Sequence, residues 1–233
     1  LMFSLKKRKK SEDTEDANYW LSIGDLMASI LIIFILLFIS KTLETGKELQ
    51  KKETIIENFT SIKKKIIAKL KNEFNKKNIK IDIDPQTGAI KIDDKILFNT
   101  GEYTLKSEGK DYLDGFIPVY VNLLLNDKEI KNELSQIIIE GHTDNVGSYI
   151  YNMELSQKRA FEVVKYIYTE MKDFEGKSEL EKYITANGRS KIKVVKNENG
   201  EVNKEKSRRV EFQFKLKEDE TLKRIEETLK EGK

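Results

Sequence analysis

Polar residues dominate this chain, and one uninterrupted apolar run stands out, Ile30 to Ile39 (ILIIFILLFI). Ten residues are too few to cross a bilayer. Extended back to Tyr19 the segment reaches 21 residues, roughly 31 Å as a helix. Tyr19 and Trp20 lie where an interfacial aromatic belt would sit, and Lys41 closes the other end. A secretory signal peptide is the competing reading. An acidic stretch between the basic Lys6–Lys10 and the apolar run, and the lack of a small-residue cleavage site after Ile39, argue against it.

The pattern changes twice beyond the apolar run. Residues 41–79 are polar and proline-free, with Ile55, Phe59, Ile62, Ile66, Leu70 and Phe74 at spacings of three or four. This predicts a helix with one apolar stripe, either paired with a second copy as a short coiled coil or packed on its own domain. From Lys80 the period becomes two. IKIDID predicts a strand, Pro85–Gly88 a turn, and Ala89–Phe98 a returning strand or a pair of short ones. Residues 105–125 read as a helix with Pro118 as a kink or break, SQIIIEGHTD as a buried strand entering a loop, and Met153–Met171 as an amphipathic helix. Tyr183–Gly188 and Arg209–Leu216 complete the strands. The order β–α–β–α–β predicts an α+β domain over 80–216, a sheet with helices on one side. A tail (1–18), a membrane helix (19–40), a helical linker (41–79) and a charged tail (217–233) complete the expected organisation.

Composition narrows the chemistry. Of 233 residues 36% are charged, yet the formal net charge is only +3, which gives no polyelectrolyte signature for nucleic acid. No cysteine is present to form a disulfide, bind a metal as thiolate, act as a nucleophile or carry a lipid, and the one histidine, His142, excludes a histidine-rich metal site within one chain. No cofactor is expected, nor an enzyme: a peptidoglycan hydrolase would need a Ser-His-Asp or metal constellation that the sequence does not supply.

Two acidic residues carry the functional reading. Asp25 lies inside the expected membrane helix, where a carboxylate costs about 2.5–3.5 kcal/mol on insertion scales. Such residues usually face a bundle interior or a water-filled path; the alternative is an edge position hydrated by headgroups, since Asp25 is only six residues from Tyr19. Asp144 follows a strand, and Arg159 lies fifteen residues on, in the first turns of a helix. A loop folding back would bring carboxylate and guanidinium into one cleft suited to a zwitterion, the acid taking an ammonium and the arginine a carboxylate. A structural salt bridge is the plainer alternative.

EGHTDNVGSYIYNMELSQKRAFEVVKYI, with G-H-T-D at 141–144 and N-x-x-L-S-x-x-R-A at 152–160, resembles the signature of OmpA-like peptidoglycan-binding domains. ILFNTGEYTLKSEGKDYL at 96–113 and SRRVEF at 207–212 resemble the family's upstream strand and helix and its closing strand. The resemblance implies that Asp144 and Arg159 grip the diaminopimelate of the peptidoglycan stem peptide. It further implies that Asn152 hydrogen-bonds ligand or loop backbone, that Tyr151 and Leu155 form an apolar wall, and that one of Arg208 and Arg209 lines the groove. His142 reads as a structural hydrogen-bonder, and Gly141 and Gly147 as turn residues. The stretch ANGRSKIKVV lacks the family's proline, and Ser207 replaces its usual asparagine, which leaves that rim of the groove undefined.

WLSIGDLMASILIIFILLFI resembles the helix of motor subunits of the MotB kind, and its W-x-S-x-x-D-L-M form resembles the ZorB family of Zorya anti-phage defence. The resemblance implies a homodimer inside a pentamer of a multi-span MotA-like (ZorA-like) membrane subunit, with Asp25 carrying protons and the wall-binding domain fixing the dimer. The protein would be single-pass in the inner membrane, N-terminus cytoplasmic and C-terminal domain periplasmic. A flagellar stator subunit and a passive membrane-to-wall tether are the alternatives.

Overall fold

The computed structural model describes residues 2–217, with the side chains of 2–18, 21 and 52–59 left aside. The charged tail from 218 onward and the side chains of Lys6–Lys10, Ile55 and Phe59 therefore lie outside the described residues. The chain divides into two compact units, Leu1–Glu57 and Asn58–Lys233, and helix α1 (Met2–Lys76) contributes to both.

In the first unit, Ser22–Lys51 is long and apolar enough to cross a membrane. Its large apolar side chains from Leu26 to Ile39 are 45–67% exposed and point to all sides. An all-round apolar surface is what lipid or neighbouring membrane helices cover, whereas a surface helix of a soluble domain shows only a stripe. Hydroxyl groups fold back onto the helix: Ser29 Oγ donates to the Asp25 carbonyl (2.8 Å) and Thr42 Oγ1 to that of Phe38 (2.8 Å). These bonds satisfy polar groups locally, as an apolar surrounding demands.

The second unit is a five-stranded mixed sheet with helices on one face. Strands β1 (Asp82–Ile83), β2 (Ile90–Asp93), β3 (Leu134–His142), β4 (Ile184–Gly188) and β5 (Arg209–Leu216) lie in the order β1-β2-β5-β3-β4. Only β3 and β4 are parallel, joined through helix α5 (Tyr149–Thr169). On β5, Val210, Phe212, Phe214 and Leu216 are buried toward the helices, opposite Gly141, Ile139 and Ile137 of β3. The alternating residues Arg209, Glu211 and Gln213 take the helix-free face with His142, Glu140 and Ile138.

Helix α3 (Ser107–Asn126) passes through Pro118 without a break. Phe116, Ile117, Val119 and Tyr120 around the proline are all buried, and this packing outweighs one missing hydrogen bond. The apolar stripe of the linker also has its place. Ile66, Leu70 and Phe74 are buried and Ile62 half-buried against the domain core, with Phe74 stacked on Phe116 at 5.0 Å and Phe116 edge-on to Phe212 at 4.9 Å. Lys65 and Lys69 pair with Glu129 and Asp127, the latter capping helix α4 (Lys128–Glu133). Of the two expectations for this stripe, the described part packs on its own domain.

Two local differences from the sequence reading shape the site. Ala89–Phe98 is not strand throughout: β2 ends at Asp93, whose carboxylate accepts from Lys95 N (2.9 Å) and starts the short helix α2 (Asp94–Leu97). Helix α5 starts at Tyr149, four residues earlier than expected, because Ser148 Oγ accepts from Tyr151 N (3.2 Å) as its N-cap.

Candidate functional site

The site lies where β3 runs out and α5 begins. Gly141 is a strand residue, not a turn: a Cβ there would stand 2.1 Å from the Ser156 carbonyl oxygen, so its lack of a side chain lets α5 lie directly on β3. Gly188, its parallel partner on β4, meets the same helix at Gln157 N (2.6 Å for a Cβ). This contact sets the height of α5 and of the side chains on its first turns. Gly147, at φ +90°, is the true turn glycine of the connecting loop.

Each predicted residue has a definite place. Asp144 is buried; its Oδ1 accepts from Val146 N (2.9 Å) and its Oδ2 from Arg208 Nη1 (2.7 Å). Asn152 is buried, and its amide donates to the carbonyls of Val146 (2.7 Å) and Ser148 (3.0 Å), so it holds the loop backbone. Tyr151 is exposed and Leu155 half-buried, and the Tyr151 hydroxyl lies 3.9 Å from where a Gly101 Cβ would be. Arg159 is 2% exposed. Its Nε donates to the Glu102 carbonyl (2.8 Å), its Nη2 more loosely to that of Asn99 (3.4 Å), and its Cζ lies 5.2 Å from the centroid of the Phe98 ring.

The direct partner of Arg159 is Asp94, a residue that sequence reasoning did not single out. Nη1 lies 2.9 Å from Asp94 Oδ1, a close ionic contact without the alignment of a hydrogen bond. Asp94 escaped notice because Ala89–Phe98 read as strand; the signal available was the Asp93-Asp94 pair, which suits a helix start. Asp144 and Arg159 thus do not pair with each other. The site holds two ion pairs, Asp144–Arg208 and Asp94–Arg159.

Burial governs the electrostatics here. It pushes the Asp94 carboxyl up to about 6, against the pull of Arg159 and Arg208 and with some help from Asp93. Burial also lowers the Arg159 guanidinium below its ordinary value. Asp94, then Tyr151, and Asp144 oppose that shift, while Arg208 adds to it. All these charges therefore act on one another within the cleft.

Arg209 does not join them. Strand alternation sends it to the helix-free face, where Nε donates to Glu211 (2.6 Å) and Nη1 to the carbonyls of Ser207 (3.0 Å) and Lys193 (3.2 Å). On that face Glu140 and Glu211 stand directly opposite across the ladder. The buried His142 lies between them, Nε2 at 3.5 and 3.6 Å, with neither ring nitrogen hydrogen-bonded. Ligand atoms of these three residues lie within 4.8 Å of one another, as a metal site requires. Yet Gln213 Nε2 donates to both carboxylates (3.0 and 2.8 Å), and Arg209, Arg189 and Lys193 balance their charge. The donor set is already engaged, so the cluster reads as an internal ion network. Despite burial, contacts with His142 and Arg209 hold Glu211 well below the usual carboxylate range, and His142, Arg189 and Lys193 lower Glu140.

The rim left undefined by the sequence is closed by Ser207. It is fully buried, its Oγ accepting from Val195 N (2.9 Å) and donating to the Asn203 carbonyl (2.6 Å). Asp25 lies in the other unit, exposed on the apolar helix.

A mixed sheet is covered on one face by α3 and α5, with charged residues gathered where β3 meets α5, and residues 97–208 match the OmpA family. The fold resembles the crystal structure of a MotB-like protein from Desulfovibrio vulgaris (TM-score 0.51, 19% identity, covering 68% of this chain and 94% of that one). Along nearly its whole length the chain is similar to ZorB proteins. It is 26% identical over 220 residues to Zorya protein ZorB of Escherichia coli O139:H28, covering 92% of this chain and 86% of the relative. It is 29% identical over 215 residues to ZorB of the Escherichia coli Crooks strain, covering 88% and 89%.

Proposed function

We propose that this protein is a non-enzymatic, membrane-anchored stator subunit that grips peptidoglycan and takes part in a proton-driven motor of Zorya anti-phage defence. The observation that carries the proposal is the pairing of an apolar helix bearing Asp25 with an OmpA-like domain, on a chain that aligns with ZorB over about nine-tenths of its length. At the wall end, Asp144 would take the ammonium and Arg159 the carboxylate of a diaminopimelate side chain, with Tyr151 and Leu155 beside it and Asn152 holding the loop. Arg208 would border the ligand. At the membrane end, two copies would stand within a pentameric ZorA-like partner, N-termini cytoplasmic and anchor domains periplasmic. Each Asp25 would bind and release a proton, a charge transfer worth about 2.3 kcal/mol per 100 mV. A lone carboxylate suits a proton better than sodium, which needs several oxygen ligands.

The test is co-expression with the multi-span partner, comparing phage resistance and motility for wild type, Asp25→Asn and Arg159→Ala. Loss of resistance in both variants, with the complex still co-purifying, supports the motor. A silent Asp25→Asn reduces the protein to a tether. Rescue of motility in a stator-deficient strain, with no effect on phage, assigns it to the flagellum.

A further inference from the structure

The charges of Asp144 and Arg159 are already paired within the chain. Each of the three Arg159 nitrogens is engaged by the chain: Nε at the Glu102 carbonyl, Nη2 at Asn99, Nη1 at Asp94. Two of these partners are backbone carbonyls in the loop before α3; they fix the guanidinium plane and leave its charge unneutralised. Asp94 is different. It is a carboxylate, 3% exposed, in contact with the cation that an incoming carboxylate would seek.

We infer that Asp94 is an internal stand-in for the ligand carboxylate, competing for Arg159 and coupling ligand binding to uptake of one proton. This deepens the peptidoglycan-binding reading and rests on it. Two of the five guanidinium N–H groups are hydrogen-bonded, one on Nε and one on Nη2, and the rest are what Asp94 and a ligand would contest. While Asp94 is ionised, however, the ligand approaches a neutralised ion pair and places a second carboxylate beside the first. That arrangement favours the protonated form of Asp94. Neutral Asp94 restores the full positive charge of Arg159 to the ligand.

The surroundings of Asp94 make the exchange feasible. Its contact with Arg159 is a close ion pair outside hydrogen-bond alignment, and burial of the carboxylate works against the pull of the guanidinium. Its backbone N–H donates to the Arg208 carbonyl (3.1 Å), so the residue stays anchored whichever form it takes. The charged groups facing it are Arg159 from α5, Arg208 from the residue before β5 and Asp93 from β2; Lys95 of its own helix turns away to Glu205. With burial raising its carboxyl to about 6, the switch operates between neutral and mildly acidic pH.

The experiment is titration calorimetry of the full chain in detergent micelles with two synthetic stem tripeptides, one ending in diaminopimelate and one in lysine, at pH 7.5 and 5.5. The lysine peptide lacks the side-chain carboxylate. For the diaminopimelate peptide, affinity should rise about tenfold on acidification, within the limit of about tenfold per pH unit for one linked proton. Asp94→Asn, a neutral isostere, should bind at pH 7.5 as tightly as wild type does at pH 5.5, with no pH slope, and Asp94→Glu should restore the slope. The lysine peptide should bind weakly at both pH values. A wild-type affinity flat across this range, a slope that survives in Asp94→Asn, or an Asp94→Asn variant weaker at every pH would overturn the inference and leave Asp94 as a residue that only orients Arg159. If the folded wild type binds neither peptide at either pH, the reading of the cleft itself falls, and the inference with it.

Discussion

Replacing Phe74 by alanine tests whether the linker's apolar stripe belongs to the domain or to a second chain. Phe74 is 0% exposed and stacked on Phe116, which in turn meets Phe212 edge-on. Truncating a buried phenylalanine costs about 3–5 kcal/mol, and the lost aromatic pair puts this position near the upper part of that range. Against a domain stability of about 5–15 kcal/mol, the change removes a third or more. Leu70→Ala, also at 0% exposure, should cost about 2–5 kcal/mol, whereas exposed Lys71→Ala should stay within about 0.5 kcal/mol. Urea titration of the full chain in micelles, followed by near-ultraviolet circular dichroism of the tyrosines, reads the difference, and sedimentation gives the oligomeric state. A cost below about 1 kcal/mol for Phe74→Ala, accompanied by loss of dimer, would refute the packing argument and move the stripe to an intermolecular coiled coil.

Gly141→Ala should be among the most damaging single-methyl changes, because its Cβ would meet the Ser156 carbonyl at 2.1 Å and neither backbone can retreat without lifting α5 off the sheet. A loss above about 3 kcal/mol is expected, the upper end for overpacking, and a thermal melt within 1 kcal/mol of wild type would contradict it. Stability should also depend on pH in two opposed ways. Asp94, raised to about 6, stabilises fully below its ordinary value near 4 and loses that contribution as pH rises through 6, about 3 kcal/mol in all by the usual conversion. Glu140 and Glu211 are lowered, so their contribution is present above the ordinary carboxylate range and is lost as pH falls below it. Melts of Asp94→Asn between pH 4.5 and 7 should therefore be flatter than those of wild type, and Glu211→Gln should blunt the acid limb alone.

The strands and long helices were legible because their periodicity is strong: β5 alternates cleanly, and α5 carries one apolar face. Of the kink or break expected at Pro118, the break does not occur, because buried neighbours on both sides hold the helix together. The linker stripe was visible, but its partner was not, because a helix face does not say which surface covers it. Asp144, Arg159 and Asn152 could be found from motif spacing. Their partners could not, since Asp94 is 65 positions from Arg159 and meets it only through the β2–β5 register.

The β3–β5 register explains why two adjacent arginines have different fates. Arg209 is the first residue of β5 and is paired with His142, so it must project from the helix-free face, where it offsets two carboxylates that the ladder places opposite each other. Arg208 precedes the strand, and its side chain reaches Asp144 in the cleft. One arginine is committed to neutralising the back of the sheet, a buried network whose loss would leave unpaired charge. The other is 30% exposed at its side chain and ends a pair that a ligand ammonium could contest. Substituting Arg209 should therefore act through stability and Arg208 through affinity, although the residues are neighbours in sequence and identical in chemistry.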